Sequence, residues 1–384
     1  MIYLTTRQSS KFHQMTLEEL LFGVSDDTHT SPTVYVADAR GNTVTRVIEH
    51  TTPIMMSKVN VENLIAKLTA FNECTEPLRR VERNSLYNTF YIPKRNGKPR
   101  RIDAPNHKLM EALRELKKIF EDDFGALHHT TAFAYVKHRS TLDAVKRHQT
   151  NESKWFGKYD LSNFFGNTTL EFVIKMFGMI FPFSEVMKNK IGRAELEKAL
   201  ELAFLNGGLP QGTPISPTIT NIMMIPIDHK ISNALRDYNK QCFVYTRYAD
   251  DFIISSKYNF DFRNIEKFLV DTLNSFGAPF ALNKCKTRYG SSSGANWNLG
   301  VMLNKDNEIT VGAKKKRQFQ AMLTSYVLDR QNGTPWELEN IQVLEGLRSY
   351  YHMVEGDTIE KIVSHIGSKY GVDIPSMIKS DLTK

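Results

Sequence analysis

Apolar positions along this chain switch between two periods. Short apolar or alternating runs near 87–103, 158–161 and 243–255 predict strands, and spacings of three and four predict helices. The helical stretches start at about 169 and cover roughly 185–205, 216–236 and 260–276. Asn206-Gly207-Gly208 stops the second and Gly277 the last, as C-terminal glycines do. Ser216-Pro217 reads as an N-cap followed by proline at the first helical position, with Pro226 as a candidate kink. Residues 282–287 and 298–303 have the composition of further strands. From about 313 the pattern is helical, interrupted at Asn332-Gly333-Thr334-Pro335. The middle therefore runs β-α-α-β-β-α-β, which suits an α+β arrangement of an antiparallel sheet with helices on one face.

Two predicted hairpins carry charge at informative places. In Phe243-Val244-Tyr245-Thr246-Arg247-Tyr248-Ala249-Asp250-Asp251-Phe252-Ile253-Ile254-Ser255, two carboxylates fall at the turn. Adjacent carboxylates repel unless a cation lies between them, and hard oxygen ligands select Mg²⁺. A solvated Asp-Asp in a surface turn is the plain alternative. Asp160 ends the strand-like Lys158-Tyr159-Asp160-Leu161. If the strands are neighbours, three carboxylates converge on one edge. That arrangement can hold two metals about 4 Å apart for in-line phosphoryl transfer. The other hairpin turns at Asn96-Gly97 and carries Lys94, Arg95, Lys98, Arg100 and Arg101. It reads either as a polyanion contact or as a charged edge that resists aggregation.

Composition sharpens this reading. The 384 residues leave room for two or three domains, and 41% hydrophobic with 24% charged residues is ordinary for a soluble globular protein. The net charge of +8 suits a polyanionic partner. Cys74, Cys242 and Cys285 are far apart, which argues against a disulfide framework or a zinc site and for a reducing compartment. The start lacks the apolar core of a signal peptide. The most apolar window, 172–183, is interrupted by Lys175 and too short to span a bilayer. The expectation is a cytoplasmic protein with no membrane partner. Residues 1–60 are polar, with turn signals at Asp26-Asp27 and Asp38-Ala39-Arg40-Gly41-Asn42 and no evident chemistry.

Five blocks in order resemble the reverse transcriptases, in their prokaryotic retron-type and group II intron-like branch. They are Lys158-Tyr159-Asp160-Leu161-Ser162-Asn163-Phe164-Phe165, Gly208-Leu209-Pro210-Gln211-Gly212-Thr213-Pro214-Ile215-Ser216-Pro217, Tyr248-Ala249-Asp250-Asp251, Leu282-Asn283-Lys284-Cys285-Lys286-Thr287 and Asn298-Leu299-Gly300-Val301. Upstream, Lys98-Pro99-Arg100-Arg101-Ile102 and the stretch from Ala132-Phe133-Ala134-Tyr135 to Arg139-Ser140 resemble the family's fingers. The likeness covers about 85–330.

The resemblance implies a right-hand polymerase with fingers, a ferredoxin-like palm and a helical thumb. Its boundaries would be an N-terminal extension at 1–60, fingers at 61–157, palm at 158–310 with a fingers segment at about 170–208, and thumb and tail at 311–384. It implies RNA-directed DNA synthesis from dNTPs with two Mg²⁺ ions, Mn²⁺ being the alternative ion. Template RNA and a primer or cDNA strand would be partners, the template being a structured RNA such as a non-coding RNA encoded beside the gene. Asp160 and Asp250 would be direct metal ligands, Leu161 would join them, and Asp251 would be a weaker ligand or a charge-setter. Phe165 resembles the steric gate beneath the sugar 2′ position. Gln211 and Gly212 would meet the incoming nucleotide, Arg100 (or its neighbour Arg101) the triphosphate, and Lys286 the pyrophosphate. Lys94, Lys98, Tyr248, the primer-grip Gly300 and the thumb run Lys314, Lys315, Lys316 and Arg317 would face nucleic acid. A solvated surface is the alternative for Lys286 and for the thumb run. Asp143-Ala144-Val145-Lys146-Arg147-His148 departs at its first position from the retron N-A-x-x-H, and Asn298-Leu299-Gly300 stands where retrons carry V-T-G. These departures point to a stand-alone, defence-associated enzyme. Retron, group II intron-like and catalytically idle RNA-binding forms are the alternatives.

Overall fold

A computed structural model describes residues 61–93, 97, 99–122, 127–237, 242–294 and 299–383, with the backbone of three short strands before them. The chain divides into two compact units, Met1–Asn60 and Val61–Lys384. In the first, β1 (Tyr3–Leu4), β2 (Thr33–Ala37) and β3 (Thr43–Val47) form an antiparallel sheet in that order. The turn signals at Asp26-Asp27 and 38–42 lie outside the described residues.

The second unit opens with α1 (Val61–Arg79), which buries Leu64, Leu68 and Phe71 at helical spacing. An antiparallel ribbon follows, β4 (Tyr87–Pro93) and β5 (Pro99–Pro105), then α2 (His107–Asp122) and α3 (Thr141–Thr150). Ser140 and Asp143 close a capping box at the start of α3. Asp143, the residue that departs from the retron pattern, therefore has a local structural task. Next come β6 (Trp155–Asp160), α4 (Phe164–Asn167), α5 (Leu170–Phe177), α6 (Phe183–Lys188) and α7 (Lys190–Glu201). The helix expected over 185–205 is thus two helices. Asn189 separates them because its Oδ1 accepts the N–H groups of Ile191 and Gly192, capping α7.

The stretch 216–236 also divides, into α8 (Ser216–Met223) and α9 (Ile225–Asp237). Pro226 sits in the first turn of α9, where its missing N–H costs nothing, so the chain breaks rather than kinks. The N-cap of α8 is Ile215 rather than Ser216. The Ser216 hydroxyl is instead drawn inward, donating to the Pro210 carbonyl at 3.0 Å and meeting Thr213 Oγ1 at 2.6 Å.

The remaining elements are β7 (Val244–Tyr248), β8 (Asp251–Ser256), α10 (Phe262–Ser275), β9 (Arg288–Ser291), β10 (Met302–Leu303), β11 (Ile309–Thr310), α11 (Ala313–Gln331), α12 (Leu338–Tyr370) and α13 (Ile374–Leu382). The strand expected over 282–287 is mostly a turn. Leu282 makes one bridge to Leu161, and the Asn283 carbonyl then accepts from the N–H groups of Lys286 and Thr287. Polar residues there offer no apolar face to bury, so the strand waits until Arg288. Of 298–303, Asn298 lies outside the described residues and Leu299-Gly300 turns with φ of 54° and 92°.

The central sheet is antiparallel in the order β7-β8-β6-β9. Because successive side chains alternate, its register assigns the faces. Tyr159, Phe252, Ile254 and Tyr245 join the main core with Ile219, Met223, Ile227, Leu269 and Leu273 from α8, α9 and α10. Asp160, Lys158, Phe156, Asp251, Ile253, Ser255 and Tyr248 share the opposite face. At one end of that face α3 packs, with His148 bonded to Ser255 and Thr246. A second core begins at Val311 and is built by α11, α12 and α13.

Candidate active site

Asp160 stands directly opposite Asp251, and Asp251 opposite Tyr248, so the strand end and the hairpin turn meet on one face. Ala249, at φ 56°, makes the turn that leaves Asp250 beside them. The Leu161 N–H donates to the Asp250 carbonyl at 3.0 Å, and the Asn283 N–H donates to the Asp160 carbonyl at 2.7 Å. These backbone bonds bring Asp160, Leu161, Asp250, Asp251 and the Lys286 turn together.

The acids are crowded. Burial, then Asp251 and Asp160, push Asp250 up to about 6. Burial also raises Asp251, with Lys158 opposing it. Lys158 Nζ lies 2.8 Å from Asp251 Oδ2, and Lys286 Nζ lies 2.9 and 3.1 Å from the two Asp160 oxygens. Asp160 raises the Lys286 ammonium through that hydrogen bond. Asp251 Oδ1 is buried with no hydrogen-bond partner. Among the described residues no three acidic, histidine or cysteine side chains form a ready-made metal cage. Lysines hold two of the carboxylates instead. The donor set still fits a divalent cation: all-oxygen ligands, an unsatisfied carboxylate oxygen and like-charge repulsion that a cation would relieve.

Beneath the turn lies a pair not anticipated from the sequence. Arg247 and Asp228 are both fully buried, Arg247 Nε donating to both Asp228 oxygens at 2.9 Å with Nη2 2.8 Å from Oδ2. Burial opposes the Arg247 charge, but Asp228 prevails and holds its pKa up. Tyr245 donates to Asp228, while Arg247 Nη1 reaches Asn221 Oδ1 and the Ala249 carbonyl, each at 3.3 Å. The available signal was parity: Arg247 occupies a core-facing position of β7, where a charge needs a partner.

The second block folds between Phe165 and the basic ribbon. The Leu209 N–H donates to the Phe165 carbonyl at 3.0 Å. A β-carbon on Gly208 would lie 2.2 Å from the Gly166 carbonyl oxygen, so only glycine fits. Gly212, at φ 122°, lets the loop backbone approach the Asp103 backbone, where a β-carbon would lie 2.9 Å from the Asp103 carbonyl oxygen. The Asp103 N–H donates to the Gln211 carbonyl at 2.8 Å, tying the basic ribbon to this loop. Arg101 is engaged with Asp103 at 2.9 Å, whereas Arg100 acts electrostatically on Tyr135. Phe165 is half-buried with its ring against Phe164 and Tyr135. Lys94 and Lys98 lie outside the described residues.

The four-residue basic run divides. Lys315 Nζ donates to the Gly300 carbonyl at 2.5 Å, and Lys316 pairs with Glu355 at 2.8 Å. Lys314 and Arg317 are exposed. Glu355 interrupts α12 with non-helical φ and ψ, and its other oxygen accepts the Val311 N–H.

The fold is that of a right-hand polymerase. The family described as reverse transcriptase (RNA-dependent DNA polymerase) matches residues 92–321, and the chain belongs to that family. It is an RNA-directed DNA polymerase of the right-hand, retron-type class. The retron Ec83 reverse transcriptase of Escherichia coli is 29% identical over 307 residues, covering 76% of this chain and 89% of that protein. The retron Ec73 reverse transcriptase of Escherichia coli is 28% identical over 207 residues, covering 51% of this chain and 62% of that protein. A solved telomerase from Candida Tropicalis, in complex with a TWJ fragment of telomeric RNA, aligns with a TM-score of 0.44 and 14% identity over 78% of this chain and 58% of its own. Among the described residues no helix is long and apolar enough to cross a membrane.

Proposed function

We propose that this protein extends a 3′-hydroxyl with dNTPs along one specific structured RNA, using the Asp160, Asp250 and Asp251 edge. The observation that carries this reading is the register pairing of Asp160 with Asp251 beside the Asp250 turn. Asp160 and Asp250, with the Leu161 carbonyl, would hold two Mg²⁺ ions, and Asp251 would set the local charge. Bound divalent ions would lower the pKa of the primer hydroxyl and neutralise charge on the triphosphate. Phe165 excludes a 2′-hydroxyl by its bulk. Gln211 positions the nucleotide from a loop fixed to Phe165 and Asp103, and Arg100 forks onto phosphate oxygens. Lys286 moves from Asp160 to the leaving pyrophosphate. The exposed Phe90 and Tyr91 of the ribbon offer stacking surface, and Lys94, Lys98, Lys314 and Arg317 meet backbone phosphates. The fingers, palm and thumb would be 61–157, 158–310 and 311–384.

The retron relatives favour a retron-like template, an RNA that also becomes linked to its DNA copy, and the output would serve anti-phage defence in the cytoplasm. The test is to sequence nucleic acid copurifying from cells that express wild type or the Asp250→Ala/Asp251→Ala variant. DNA complementary to one RNA, lost in the variant, is expected. RNA equal in both samples, without DNA, would replace the enzyme reading with an RNA-binding scaffold.

A further inference from the structure

Tyr135 holds a conformation that its side chain disfavours. Its φ is 60°, in the left-handed region where a bulky residue is strained. Yet the residue is 59% exposed, so deep burial does not offset that strain. The backbone around it is clamped from three sides. Asn221 Nδ2 donates to the Ala134 carbonyl at 2.9 Å, the Phe133 N–H to the Arg247 carbonyl at 2.9 Å, and Arg139 Nη1 to the Ala132 carbonyl at 2.7 Å. Two of these partners, Asn221 and Arg247, belong to the buried network under the Asp250 turn. The fold therefore spends fixed contacts on presenting this one ring.

Where the ring goes is informative. It stands edge-on to Phe165, centroids 6.4 Å apart and planes at 75°. Partial burial of the hydroxyl end, then Asp250 and Tyr248, push its phenol above the usual tyrosine value, and Arg100 pulls the other way. Phe165 thus stands against the ring, and the charges of the acidic turn and of the ribbon arginine both act on the hydroxyl. A strained, accessible aromatic held by a buried network at such a place is positioned for a ligand rather than for packing.

We propose that Tyr135 is a second wall of the nucleotide pocket and a specificity-determining residue: it braces Phe165 against the sugar and presents its hydroxyl to the incoming dNTP. This rests on the proposed roles of Phe165 and Asp250. The test is primer extension on an RNA template by Y135F, Y135A and Y135G beside F165A, reading KM, kcat and the preference for dNTP over NTP. The rise in melting temperature caused by dNTP with Mg²⁺ gives a readout independent of turnover. Loss of one hydrogen bond in Y135F should raise KM about 2- to 10-fold, with kcat nearly unchanged. Y135A should also lose about tenfold in sugar preference, because the unbraced Phe165 ring is free to shift. Y135G should match Y135A kinetically yet melt higher, since glycine accepts the left-handed backbone without strain. Wild-type KM, sugar preference and dNTP-induced melting shift in Y135A would overturn the proposal. If F165A gains NTP use while Y135A does not, Tyr135 fails alone. If neither gains it, the pocket assignment fails as well.

Discussion

His148 makes a pH-dependent contribution that can be worked from the structure. Its imidazole is fully buried, with Nδ1 2.6 Å from Ser255 Oγ and Nε2 2.8 Å from Thr246 Oγ1. Burial, helped by the charge of Arg147, lowers its pKa to about 3. In the unfolded chain a histidine titrates near 6.5 (roughly). Between those values the unfolded chain takes up a proton that the folded protein refuses. The contribution is therefore fully present above about 6.5 and is lost as the pH falls. At pH 5 the loss is roughly 1.5 pH units at about 1.36 kcal/mol each, or about 2 kcal/mol. Asp250 acts in the opposite sense. Its folded pKa, raised from 3.8 to about 6, lets the native state bind the proton first, so acidification favours folding there. That gain is about 1.4 kcal/mol at pH 5 and partly masks His148 in the wild type. Comparison with His148→Gln removes the mask. Urea unfolding at pH 7.5 and 5.0 should show the variant less stable at pH 7.5. On acidification it should lose about 2 kcal/mol less than wild type. Equal losses in both proteins would refute the buried neutral imidazole.

Three further outcomes follow from other contacts. Asp228→Asn strands the Arg247 charge in the core and should cost about 3–5 kcal/mol in a denaturant melt. The Asp228→Leu/Arg247→Met pair should cost less, and a double variant as unstable as the single would remove the charge-pair account. Gly208→Ala forces a β-carbon into the Gly166 carbonyl, so it should lose about 1–3 kcal/mol and raise the dNTP KM; unchanged stability would mean that the loop yields freely. Mn²⁺ binding, followed by electron paramagnetic resonance, should weaken by up to about tenfold per pH unit below about 6, where Asp250 takes a proton. A flat affinity between pH 6 and 5 would exclude Asp250 as a ligand.

Much of the site was legible along the chain. Gly97 and Ala249-Asp250 lie between strands whose apolar residues announce them, and Asp160 ends its strand as expected. Helix stops at Gly277 and after Gln331 were likewise readable from glycine and proline. The misplacements have separate causes. Ser216 has the chemistry of an N-cap, but the inward-folded loop claims its hydroxyl for Pro210 and Thr213. Asn189 caps α7 inside what reads as one helix, because apolar spacing continues across it.

The amino-acid sequence by itself determined most of the elements, the order of the blocks and the acidic residues that meet. Those depend on periods of two and 3.6 and on turn chemistry, which act over a few residues. Only the tertiary structure decided which charges are paired. Lys158 and Asp251 are 93 residues apart, and Lys286 and Asp160 are 126 apart. Arg101 folds back on Asp103, and Lys315 and Lys316 of the basic run are bound internally. Tyr135 becomes a strained ring beside Phe165. The partner of a charge is set by strand register and by the loss of water around it, and both exist only once distant segments have packed.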